Sequence, residues 1–129
     1  RALKMEWESS IRDKAPKLRE LIEIAAKYIH NNFERDISLS DISRYVFLSP
    51  SYFARVFKKE MGMSPINYLL NVRVERAKEL LTETSMKISD IALNVGFSNQ
   101  QRFNEIFKKY VKTTPMNYRK QHSRKQYGT

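Results

Sequence analysis

From Pro16 onward, Leu18, Leu21, Ile22, Ala25, Tyr28, Ile29 and Phe33 recur at three-to-four spacing, which predicts one apolar face on a first helix closing near Asn31-Asn32. Ser38, followed three residues later by Asp41, resembles a capping box and opens a second, short helix that turns Leu39, Ile42 and Val46 inward. Ser49-Pro50 supplies an N-cap and a first-turn proline for a third helix running to about Met61, which Gly62 closes as a left-handed residue. Ser64-Pro65 repeats that start signal for a longer helix with Ile66, Leu69, Leu70, Val74, Ala77, Leu80 and Leu81 apolar. At about 18 residues it spans roughly 27 Å. No stretch alternates with the period of a strand, so the predicted class is all-α.

The pattern then starts again. Phe57-Lys58-Lys59 returns as Phe107-Lys108-Lys109 about 50 residues later, and Ser64-Pro65-Ile66-Asn67-Tyr68 as Thr114-Pro115-Met116-Asn117-Tyr118. Upstream, Ser40-Asp41-Ile42 pairs with Ser89-Asp90-Ile91, Val46 with Val95 and Ser49 with Ser98, one residue being added before the second Phe-Lys-Lys. This predicts a fifth helix from about Ile88 to Asn94, a turn at Gly96-Phe97, a sixth helix from Asn99 to about Val111 capped by Ser98, and a last helix from Thr114-Pro115. Two short helices joined by three or four residues form a helix-turn-helix, and the chain holds two. The expected layout is a linker over 1–15 with Trp7 as its one docking residue, helix-turn-helix units over 16–63 and 84–120, a connecting helix over 64–83, and a basic tail over 121–129.

Helical phase divides the third and sixth helices into two sides. Phe53, Val56, Phe57 and Glu60 share one side of the third, with Ser51, Arg55 and Lys58 opposite and Ala54 and Lys59 flanking. In the sixth, Phe103, Ile106, Phe107 and Tyr110 face inward, leaving Gln101, Glu105 and Lys108 outward with Gln100, Asn104 and Lys109 nearby. The net charge of +10, from 24 Lys plus Arg against 14 Asp plus Glu, points to a polyanionic partner. Arg55 can donate two bonds to guanine, Gln100 or Gln101 can pair with adenine, Glu105 can accept from cytosine and Ala54 can meet a thymine methyl. Ser51 and Asn104 complete the base-contact candidates. Ser49, Lys58, Lys59, Ser98, Lys108 and Lys109 are the phosphate candidates.

Several of these residues also have a purely structural reading. The four phenylalanines fit a core by phase, the lysine pairs complement a helix C-terminus, the serines cap helices, and Glu105 suits a solvated face. His30 and His122 have no partner at ligand spacing, and the sequence carries neither a glycine-rich phosphate loop nor a nucleophile with its base. No metal, cofactor or catalytic residue is therefore expected. With 41% hydrophobic residues over 129 positions the chain can bury an ordinary core; it has no cysteine, which fits a cytoplasmic location, and no apolar run approaching the ~20 residues of a membrane span. Alternatives are a DNA-targeting piece of a recombinase or repair enzyme, and a basic helical module binding an acidic protein or a membrane surface.

From about Pro16 to Lys120 the chain resembles the DNA-binding domain of AraC/XylS bacterial transcriptional regulators. The second unit carries most of the signature: Ile91-Ala92, Val95-Gly96-Phe97-Ser98, Phe103, Phe107-Lys108-Lys109, Thr114-Pro115 and Asn117-Tyr118-Arg119. The first matches through Ser49-Pro50-Ser51-Tyr52-Phe53, Phe57-Lys58-Lys59, Gly62, Ser64-Pro65, Arg73 through Ala77 and Leu80-Leu81. The resemblance implies seven helices in two lobes bridged by the fourth, with the third and sixth helices inserted into successive major grooves of double-stranded DNA. It further implies an activator that meets RNA polymerase and an upstream sensor or receiver domain, in keeping with a chain that begins at Arg1. One position departs from the family: Lys112 stands where Gly62 stands in the first unit. Either Lys112 is left-handed, at a cost on the order of 1 kcal/mol, or the helix end is rebuilt.

Overall fold

A computed structural model of the chain describes residues 17–123. Seven helices follow in order: α1 (Leu18–Asn32), α2 (Leu39–Tyr45), α3 (Pro50–Met61), α4 (Pro65–Glu83), α5 (Ile88–Asn94), α6 (Gln100–Val111) and α7 (Pro115–His122), with no strand among the described residues. The all-α expectation holds. Trp7 and the proposed linker lie outside the described residues. At the other end α7 runs to His122, Ser123 is buried, and the rest of the expected basic tail lies outside the described residues.

Local chemistry explains the helix ends. The Ser38 hydroxyl accepts from the Asp41 amide at 3.1 Å while the Asp41 carboxylate accepts from the Ser38 amide at 2.8 Å, a reciprocal capping box. Ser49, Ser64 and Thr114 accept from the amides of Tyr52, Asn67 and Asn117, each with proline as the next residue. The expected Ser98 cap is wrong: Asn99 caps α6, its side-chain oxygen accepting from the Arg102 amide at 2.8 Å. The added residue of the second unit lies before the cap, so Asn99, not Ser98, occupies the place of Ser49. At the far ends Gly62 has φ +85° and Lys112 φ +71°, both left-handed, with amides donating to Lys58 and Lys108. Lys112 therefore takes the strained alternative.

Two cores sit along α4. The first gathers α1 to α3 around Ile22, Ile29, Ile42, Phe53 and Phe57; the second gathers α5 to α7 around Leu81, Ile91, Val95, Phe103 and Phe107. Duplication is visible in the ring geometry. Phe53–Phe57 centroids lie 5.5 Å apart at 56° and Phe103–Phe107 5.6 Å apart at 57°; Phe57–Tyr68 and Phe107–Tyr118 meet edge-on at 75° and 74°. All four phenylalanines are fully buried, which makes them core and leaves none as a stacking platform. Glu60, placed on the inner side by phase, is exposed and instead reaches Arg19 of α1 at 3.0 Å.

The connecting helix serves both cores, giving Leu69 to the first and Val74, Ala77, Leu80 and Leu81 to the second. Phe33, just past α1, packs against both. Every buried side-chain nitrogen or oxygen among the described residues has a hydrogen-bond partner. The two helix-turn-helix turns differ in one respect. Gly96 of the second takes φ +107°, whereas the matching residue of the first is Phe47, at φ +60° and 92% exposed.

Candidate nucleic-acid interface

The outer sides of α3 and α6 form because three-to-four spacing spends the phenylalanines on the core. On α3, Ser51, Arg55, Lys58 and Lys59 are exposed, while Ala54 is half-buried. On α6, Gln100, Gln101, Asn104, Glu105, Lys108 and Lys109 are all exposed. The structure thus places every base-contact candidate on an outer face, with the thymine-methyl candidate partly covered. Ser49 is exposed, but its hydroxyl is engaged with the Tyr52 amide at 3.4 Å. Ser98, freed from the capping role, is exposed beside Arg102 and Gly96 in a cleft between the units.

Within α6 four candidates converge. Gln100, Asn104, Glu105 and Lys108 line a shallow depression of about 320 Å³ whose other wall is Ile88 and the start of α7, Thr114 to Met116. Glu105 is therefore flanked by amides and a lysine, a mixed donor and acceptor surface. No pocket-like enclosure shields it, so charge here acts at the surface and through long-range attraction. On α3 the Arg55 guanidinium lies 5.3 Å from the centroid of the Tyr52 ring, a cation–π contact that orients it on the outer face.

Three neighbours of the site escaped the sequence reading. Tyr52 precedes Arg55 by three residues on the same helix, a spacing that could have revealed it. Arg102 is exposed on α6 and faces the cleft that also holds Glu34 and Asp36. Met116, 49% exposed, borders the α6 depression; only its closeness in space to α6 shows this, since in sequence it belongs to the next helix. His30 and His122 serve the scaffold. His30 Nε2 is hydrogen-bonded with the Tyr68 hydroxyl at 2.9 Å, and the His122 ring stacks on Tyr118 at 4.3 Å.

Away from the outer faces, one charged residue among the described residues is buried. Arg73 of α4 is 8% exposed, and its Nε and Nη2 donate to the carbonyls of Phe33 and Arg35 at 2.7 and 2.9 Å. Burial lowers its pKa, opposed by the nearby Asp36 carboxylate.

Two helix-turn-helix units with polar outer helices on a strongly basic chain define a DNA-binding domain. A family model described as a helix-turn-helix domain matches residues 42–121, and the chain belongs to that AraC-type family of DNA-binding transcription regulators. An uncharacterised HTH-type transcriptional regulator of Bacillus subtilis, YtdP, is 42% identical over 93 residues, covering 72% of this chain and 12% of the relative. The lactose operon transcription activator of Staphylococcus xylosus is 31% identical over 118 residues, covering 85% and 42%. Among solved structures, the C-terminal domain of AraT, a response regulator from Geobacillus stearothermophilus, superposes with a TM-score of 0.81 at 34% identity, covering 87% of this chain and 93% of that one. The chain spans less than half the length of each of these two relatives.

Proposed function

We propose that the chain reads a specific DNA sequence by placing α3 and α6 in successive major grooves on one side of the duplex, as the targeting module of a larger regulator. The observation that carries this is the pairing of two identically built helices, each sealed to its core by a Phe-Phe pair and each turning hydrogen-bonding side chains outward. In this reading Arg55, Gln100, Gln101 and Asn104 specify bases, with Ser51, Ala54 and Glu105 in support. Lys58, Lys59, Lys108, Lys109, the helix start at Ser49 and the exposed Ser98 just before the α6 cap hold phosphates. At 19 residues α4 is about 28 Å long. With the width of the lobes it can set the reading helices near one duplex turn, ~34 Å, apart. The lobes divide as 16–63 and 84–120 around a connector at 64–83.

The larger protein is an activator that meets RNA polymerase in the cytoplasm, has no catalytic activity of its own, and carries a sensor or receiver domain upstream. The names of the lactose operon activator and of the AraT response regulator support that reading. Among the described residues no helix is long and apolar enough to cross a membrane.

Titrating the chain onto a labelled operator at several salt concentrations tests the assignment. Arg55→Ala should lose ~1–3 kcal/mol at one base position and relax preference there, whereas Lys108→Ala should weaken all sequences alike and reduce the salt slope by about one. If the two variants behave alike, the division into specifying and positioning residues is wrong.

A further inference from the structure

The two units touch through a joint that no outer face would reveal. Arg73 lies on α4 between Leu69, which belongs to the first core, and Val74, which belongs to the second. Its guanidinium bonds two carbonyls of the α1–α2 corner in the first unit, those of Phe33 and Arg35, and lies 5.6 Å from the Phe97 ring in the turn of the second. Gly96 closes the joint. A Cβ there would fall 2.5 Å from the Phe33 carbonyl oxygen and 2.7 Å from Arg73 Nε, so only glycine lets the second turn approach this near. The contrast with Arg119 is informative. Arg119 of α7 bonds the carbonyls of Leu81 and Thr84 in the same manner, but it ties together only parts of the second unit.

From this geometry we infer that Arg73 is a specificity-determining residue that sets the number of base pairs between the two boxes the chain reads, acting through the angle between the units. The inference rests on the two-groove reading above. A helix-turn-helix pair separated by one duplex turn is sensitive to spacing because one added base pair moves the second box by ~3.4 Å and rotates it by roughly 34° about the axis. A joint that fixes the units forbids this adjustment. Arg73 provides such a joint with two charge-assisted bonds and a ring contact, whereas the exposed Tyr110 hydroxyl reaches Asn67 only at 3.5 Å. Arg73→Met keeps the stem and removes the fork. Arg73→Lys keeps the charge and has a single ammonium in place of the planar fork.

The test measures affinity of the 129-residue chain and both variants for three duplexes: the preferred two-box site, the same site with one base pair inserted between the boxes, and a single box. Wild type should lose on the order of tenfold on the insertion. The variants, folded by circular dichroism, should lose no more than about threefold while binding the single box as wild type does. Folded variants that keep the wild-type spacing penalty overturn the inference. A parallel loss on the single box, or failure of both variants to fold, also overturns it, because Arg73 would then maintain a unit and not the spacing. A wild-type chain indifferent to the insertion would instead defeat the two-groove reading on which the inference depends.

Discussion

Lys112→Gly should make the domain more stable, although it removes a side chain and shortens nothing else. Lys112 sits at φ +71° with its amide donating to the Lys108 carbonyl at 2.9 Å, and it is exposed. A non-glycine residue in this region costs about 1–2 kcal/mol through the crowding of Cβ against the backbone. Glycine removes that cost and keeps the amide bond, but it loses about 0.5–1 kcal/mol more chain entropy on folding. The net gain is about 0.5–1 kcal/mol, which for a domain near 100 residues raises Tm by roughly 2–8 °C. Gly62→Lys is the mirror experiment. Nothing lies within 4 Å of a Cβ at that position, so the substitution meets φ strain alone and should lower Tm by a similar amount. Differential scanning calorimetry of the two single variants and the double variant settles the sign, and the double should return close to wild type because the sites belong to separate units. An unchanged or lower Tm for Lys112→Gly would show that the backbone at 112 is not left-handed.

Phe47 carries the same strain with a ring 92% exposed, so Phe47→Gly should also raise the unfolding free energy, by about 0.5–1 kcal/mol in chemical denaturation, and a loss of stability would show that the ring is packed. Gly96→Ala should lose at least ~2–3 kcal/mol, since its Cβ would meet the Phe33 carbonyl and the Arg73 guanidinium as well as φ +107°; urea titration reads it, and a loss under ~1 kcal/mol would mean the joint is loose. The Asp41 pKa is lowered chiefly by the hydrogen bond from the Ser38 amide, then by the Ser38 hydroxyl. A lowered carboxylate pKa contributes stability that is complete above the unfolded value of ~3.9 and is lost as pH falls through the folded one. Asp41→Asn should therefore flatten the acid side of the Tm–pH curve below about pH 4, and an unaltered acid limb would contradict the capping-box account.

Helix positions were legible where their cause is local. Ser38 with Asp41, and the Ser-Pro and Thr-Pro starts of α3, α4 and α7, act within one turn, and the Phe-Phe spacing fixes which side of α3 and α6 is buried. Ser98 was misread because the repeat pairs it with Ser49, while the residue added in the second unit shifts the cap to Asn99. Glu60 has the phase of a core position but lies at the last turn of α3, where an exposed carboxylate can turn back to Arg19. The joint was hidden because its partners come from α1, α4 and the second turn, which only the tertiary fold brings together. It left one trace in the sequence: Arg73 lies four residues after Leu69 and four before Ala77, a charged residue set within an apolar stripe. The outer faces of α3 and α6 were legible as faces, because burying Phe53 with Phe57 and Phe103 with Phe107 leaves the opposite side of each helix exposed.

The most direct test of the central claim is selection of bound duplexes from a random pool by this chain at near-physiological salt. Two short preferred boxes about one helical turn apart are the predicted result, with the spacing between them held constant across the selected sequences. A single enriched box, or no enrichment above the salt-dependent background, would contradict reading by two helices in successive grooves.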